Sequence, residues 1–118
     1  MINVVSQKWY GKAKRPTDVY IGRPSLLGNP YASKPSKLAR QNVSSDAEAV
    51  EQYRLWLREQ YRTNPEIKAE LLRLARLYKE HNTLHLVCWC KFKVNDDTPC
   101  HGDVIREALE GIIAKGLI

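Results

Sequence analysis

The sequence predicts a single small α/β domain spanning residues 1–118, a mostly parallel sheet covered by helices. Three observations predict it. Short β-prone runs alternate with longer segments of helical periodicity in the order strand, loop, strand, long loop, two helices, strand, helix. At 118 residues the chain is long enough to bury roughly two thirds of its unfolded surface without covalent staples. No internal repeat or low-complexity tract divides it.

Residues 2–5 form a short β-prone run, and the polar, basic segment SQKWYGKAKRPTD after it reads as a loop. Residues 19–21, Val-Tyr-Ile, form a second strand bounded by Gly22. The stretch GRPSLLGNPYASKPS then carries two glycines, three prolines and several small polar residues, so turn chemistry dominates it. A loop this long in a small domain points to function or to disorder rather than to an idle connection. Gly22 and Gly28 let the backbone approach a ligand, Arg23 offers a planar fork of donors to phosphate or carboxylate, and Asn29 before Pro30 is held extended. A tight turn at Gly28-Asn29-Pro30 is the plainer alternative.

Ser45-Asp46-Ala47-Glu48 is a capping box opening a helix with Val50, Tyr53, Trp56, Leu57 and Tyr61 at helical spacing, an aromatic stripe that reads as core. Asn64-Pro65-Glu66 starts a second helix with Ile67, Leu71, Leu74 and Tyr78 on one face, and Asn82 is its expected stop. His81 and His85 flank the next strand as structural or surface residues.

Residues 84–105, LHLVCWCKFKVNDDTPCHGDVI, hold all three cysteines. Leu84, Leu86, Val87 and Trp89 read as a buried strand running into Cys88-Trp89-Cys90, with Cys88 and Cys90 on one face and Trp89 on the other. Thr98-Pro99 reads as an N-cap and first-turn proline of a last helix over about residues 99–115, which puts Cys100 and His101 in its first turn. Unpaired amides and the helix dipole favour a thiolate or a bound anion there, so Cys100 is the candidate reactive thiol. Cys88 is expected to be simply buried. Cys88, Cys90, Cys100 and His101 also make a conceivable four-ligand zinc set, disfavoured because a pair alternating along a strand is an awkward chelate.

The odd cysteine count, the lack of an apolar signal core and the absence of a membrane-length apolar run point to a cytoplasmic protein with reduced thiols. The net charge of +6 is uneven. Through Gln41 there are eight basic residues against Asp18 alone, and the rest of the chain has eleven basic and twelve acidic. A basic N-terminal third beside Trp9, Tyr10 and Tyr31 suits a phosphate-bearing partner, a nucleotide or a nucleic-acid strand, unless it is only a solvated surface.

In open parallel sheets ligands bind beyond the carboxyl ends of the strands. If the strand at residues 19–21 and the strand from Leu84 into Cys88-Trp89-Cys90 are neighbours, the loops leaving them bring Arg23, Asn29, Cys90, Cys100, His101 and Asp103 to one pocket. Such a set supports nucleophilic or acid–base chemistry, with Cys100, His101 and Asp103 as the catalytic candidates, or binding alone.

The pairing of VYIGRPSLLGNPY with LVCWC and CHGDVI resembles a phage and bacterial family of small proteins of unknown function, with a YIGR-to-GNP loop and a CWC-to-CHGD segment. The chain is similar, more distantly, to an uncharacterised family with a strand ending in Leu-Cys and Cys-His at a helix start, which implies a Rossmann-like sheet. The resemblance adds Tyr20 to the ligand-binding candidates and implies the host cytoplasm as the setting if the gene is phage-borne. It carries no reaction, and its usual spacer is shorter than KFKVNDDTP.

The leading expectation is an enzyme or enzyme-like domain acting on a nucleotide or nucleic-acid component, in nucleotide metabolism or base modification, with no cofactor and no membrane. The alternatives are a nucleic-acid-binding or host-interaction protein whose Cys and His residues are structural, with zinc as a stabiliser, and a nucleotide sensor without turnover.

Overall fold

The computed structural model describes residues 1–22, 25–28, 30–32, 41–42, 46–88 and 100–118. In order the elements are β1 (Ile2–Ser6), α1 (Gln7–Tyr10), β2 (Asp18–Tyr20), β3 (Tyr31–Ala32), β4 (Gln41–Asn42), α2 (Asp46–Thr63), α3 (Pro65–His81), β5 (Leu84–Cys88) and α4 (His101–Ala114). β1, β5 and β2 form a parallel sheet in that order, and β3 pairs with β4 in a separate two-stranded parallel ladder.

β5 is the central strand, as its near-continuous apolar sequence requires of a strand covered on both faces. Leu84, Leu86 and Cys88 are fully buried on one face and Val87 on the other. Ser6 sits opposite Cys88 and Tyr20 opposite Val87, so β2 and β5 are neighbours. Ile21 lies just past β2, but its N–H still donates to the Val87 carbonyl at 2.9 Å and extends the ladder by one bond.

α2, α3 and α4 pack on one another, with α3 and α4 against β5 and α4 also against β1. Their inner faces supply Tyr53 and Leu57, then Ile67, Leu71, Leu74 and Ala75, then Val104, Ile105, Leu109 and Ile112, all within one core. Burying a leucine such as Leu71 stabilises the fold by roughly 1.5–3 kcal/mol. The aromatic stripe of α2 is therefore core: Tyr53 is fully buried, and Trp56 and Tyr61 are half-buried against it.

Capping explains where the helices stop and start. Asn64 Oδ1 accepts from the N–H of Glu66 at 3.0 Å and of Ile67 at 3.4 Å, with Pro65 at the first helical position. Asn82 ends α3 with a left-handed φ of 58° while its N–H donates to the Tyr78 carbonyl. Ser45 lies outside the described residues, and α2 begins at Asp46. α4 ends in a Schellman arrangement: Gly116 takes φ 67° and donates to the Ile113 carbonyl, and Leu117 donates to that of Ile112.

Two expectations are corrected. The segment after β1 is a loop only from Gly11 onward, because α1 occupies residues 7–10 and closes with a Gly11 N–H bond to the Gln7 carbonyl at 2.9 Å. One turn is too short to show periodicity. The turn-rich stretch after β2 contains β3, whose two residues pair with β4, and a pair that short has no alternation to read. No helix among the described residues is long and apolar enough to cross a membrane.

Candidate active site at the carboxyl edge of the sheet

Because the three strands are parallel, Ser6, Tyr20 and Cys88 end on the same edge. α4 starts there too. Its N-cap is Cys100, with extended backbone (φ −142°, ψ 146°). Cys100 Sγ accepts from the Gly102 N–H at 3.4 Å, and the Asp103 carboxylate accepts from the Cys100 N–H at 3.1 Å. This is a capping box with cysteine where serine or threonine is usual. It corrects the expected start. Cys100 precedes the first turn and His101 is the first helical residue, because a side-chain acceptor at residue 100 and a carboxylate three positions later satisfy the orphan amides there. Thr98 and Pro99 lie outside the described residues.

His101 is turned inward. Its Nε2 donates to the Ile21 carbonyl at 2.6 Å. In the neutral ring that leaves the Nδ1 lone pair as an acceptor, 3.8 Å from Cys100 Sγ. Cys88 Sγ lies 3.3 Å from the same sulfur. A helix-terminal amide, a second thiol and an imidazole nitrogen thus surround the Cys100 thiol, which is itself fully buried.

Tyr53 of α2 completes the frame. Its ring meets the His101 ring edge-on, 5.2 Å between centroids at 75°. Its hydroxyl donates to the Leu27 carbonyl at 2.7 Å. One side chain therefore ties the imidazole to the turns after β2, where Ser25 N–H bonds the Gly22 carbonyl and Gly28 N–H bonds that of Ser25, both at 2.9 Å.

Two glycines lie in close contact with neighbouring side chains. A Cβ on Gly102 would sit 2.7 Å from Val4 Cγ1 and 2.9 Å from Ile21 Cδ1, so only glycine lets the start of α4 press onto β1 and β2. A Cβ on Gly22 would sit 2.4 Å from the Tyr20 hydroxyl oxygen. The Tyr20 ring occupies the space beside Gly22.

Of the sequence-derived candidates, Cys88, Cys100, His101 and Asp103 come together, with the end of β2 joined to them through the Ile21 carbonyl. Tyr20, Gly22 and Gly28 lie along the chain leaving β2. Arg23, Asn29 and Cys90 lie outside the described residues, as does Trp89. Among the described residues, no group of three His, Cys, Asp or Glu side chains is placed to hold a metal ion. Sequence reasoning did not single out Ile21 or Ser6, which is buried at the end of β1, or give Tyr53 a role beyond the core. Tyr53 carried a signal in its inward helical position; the carbonyl of Ile21 carried none.

A second polar cluster sits at the opposite edge. Asp18 accepts from the Tyr10 hydroxyl at 2.8 Å and from the N–H groups of Arg15 and Lys14 at 3.1 and 3.2 Å, with His85 Nδ1 3.5 Å away. Burial pushes the Asp18 carboxyl up, but the bonds from Arg15, Tyr10 and Lys14, together with His85, outweigh it and hold the carboxyl below its ordinary range. Tyr10 is pushed up, by burial first and then by its bond to Asp18. Its ring stacks on His85 at 5.0 Å. This cluster clasps α1 and the loop after it to the sheet.

No curated protein and no solved structure shows detectable similarity to the chain. A profile described as a domain of unknown function, DUF4326, matches residues 4–111, from within β1 through most of α4. The chain belongs to that family.

Proposed function

We propose that this protein is an enzyme or enzyme-like domain acting on a nucleotide or nucleic-acid component, with Cys100 and His101 as its reacting pair. One observation carries the reading: the Ile21 carbonyl holds His101 Nε2–H, so Nδ1 faces the sulfur of a helix-capping cysteine at the carboxyl edge of a parallel sheet, the edge at which open α/β sheets generally bind ligands. In this pair the thiol proton passes from Sγ to Nδ1, leaving a thiolate beside the Gly102 N–H and an imidazolium held by Ile21. Asp103 positions the pair by fixing the backbone of Cys100. The phosphate-bearing partner is inferred from the helix start together with Arg23 and the basic N-terminal third. The setting proposed is nucleotide metabolism or base modification in a cytoplasm, that of an infected host if the gene is phage-borne.

A thermal-shift screen of nucleotides, nucleosides, sugar phosphates and short oligonucleotides, repeated on Arg23→Ala and His101→Ala, tests it. A nucleotide that stabilises the wild type and binds Arg23→Ala about tenfold more weakly supports the reading. Stabilisation by oligonucleotides alone, lost as much in Lys12→Ala as in Arg23→Ala, moves the function to the basic surface.

A second reading is favoured by the burial of Cys88, Cys100 and His101: a binding protein in which these residues are structural. Elemental analysis separates the two. One zinc per chain, lost in Cys88→Ala or Cys100→Ala, supports the structural role, whereas the enzyme reading expects no stoichiometric zinc.

A further inference from the structure

A groove of about 350 Å³ runs between α2 and α4, away from the cysteine–histidine pair. Its floor is apolar, formed by Leu57, Leu71, Val104, Ala108 and Ile112. One end is closed by Arg54, which bonds Glu107 across the two helices and Glu51 at 3.4 Å. Further along, Arg58 on α2 and Lys115 past α4 both line it, and neither has an ion-pair partner among the described residues. Leu117, turned back by the Gly116 cap and half-exposed, stands at the far end.

Gly111 makes this more than a gap between helices. A glycine inside a helix costs about 1 kcal/mol relative to alanine, and such a position is normally explained by a close neighbour. Here a Cβ on Gly111 would meet nothing within 4 Å among the described residues. Packing does not require the glycine, and what its missing side chain leaves is open space in the groove wall.

We propose that this groove binds a small amphiphilic anion, an apolar chain carrying one carboxylate or phosphate head. The apolar floor takes the chain, and Arg58 and Lys115 take the head. The volume sits at the lower end of small-molecule sites, about 300–1,000 Å³. Arg58 and Lys115, without ion-pair partners among the described residues, set the sign of the charge.

The test is displacement of 8-anilinonaphthalene-1-sulfonate by decanoate and by decyl phosphate, with decanol as the uncharged control. All are kept below micelle-forming concentrations, and thermal unfolding is recorded for each variant. Gly111→Leu adds side chain to open space at a helical position, so it is expected to melt at or above the wild-type temperature while losing amphiphile binding. Arg58→Ala is expected to weaken both anions about fivefold. Arg73→Ala, on α3 and outside the groove lining, is expected to leave them unchanged. Anion binding that persists in a folded Gly111→Leu, decanol competing as well as decanoate, or no displacement in the wild type would each overturn the proposal.

Discussion

His101 Nε2 donates to the carbonyl of Ile21 at 2.6 Å across a sequence separation of 80 residues, and this bond joins the start of the last helix to the end of an edge strand. It orients the imidazole and satisfies a carbonyl just past the end of β2. His101→Ala leaves that buried acceptor without its donor and opens a cavity beside Tyr53, so a loss of about 2–4 kcal/mol is expected in urea unfolding. His101→Gln, whose terminal amide can reach the same carbonyl, is expected to recover part of it. Equal losses in the two variants would show that the bond contributes little.

The 3.3 Å separation of the Cys88 and Cys100 sulfurs brings two thiols close to bonding range, since a disulfide needs about 2.05 Å. Treatment with hydrogen peroxide is expected to oxidise the pair, the two thiols giving up two protons and two electrons as one peroxide is reduced to two waters. Peptide mapping without reductant should find the 88–100 link, reversed by dithiothreitol. A link from either residue to Cys90 in its place would contradict the pairing.

Gly102 should not tolerate a methyl group. The added Cβ would press on Val4 and Ile21 at the root of α4, and Gly102→Ala is expected to cost about 1–3 kcal/mol despite alanine's better helix propensity. Gly111→Ala, with nothing within 4 Å of its Cβ, is expected to stabilise by roughly 0.5–1 kcal/mol. The opposite order of melting temperatures would refute the packing argument.

Asp18 gives the acid limb of the stability curve. Its folded carboxyl titrates below the unfolded one, so the unfolded chain binds the proton more readily. The stabilisation is fully present above the unfolded pKa of about 3.9 and drains away as pH falls through the folded value. Asp18→Asn is therefore expected to lower stability at pH 7 and to flatten the loss below about pH 4, read by urea unfolding at a series of pH values. An acid limb as steep as the wild type's would assign it to other carboxylates.

Much of this protein is determined by its sequence alone. Asn64-Pro65 and Asn82 define α3, because caps act over three or four residues of local chain. The spacing of Val50, Tyr53 and Leu57 marks the inner face of α2, and the unbroken apolar run from Leu84 marks the central strand. The motif around Cys100, His101 and Asp103 is local as well, so its place at a helix start and at the sheet's carboxyl edge could be read from the chain. The Cys100 cap is local too, a side-chain acceptor with Asp103 three residues on, but cysteine is not among the usual cap residues. Tertiary structure alone decided that His101 points at the Ile21 carbonyl. It also decided that Tyr53 spans from that imidazole to the Leu27 carbonyl, and that Gly22 shelters the Tyr20 ring. A backbone carbonyl is the same group at every position, and a close approach is a property of two segments brought together by the fold. The sequence names the donor and the glycine, but only the packing of α2 and α4 on the sheet supplies their partners.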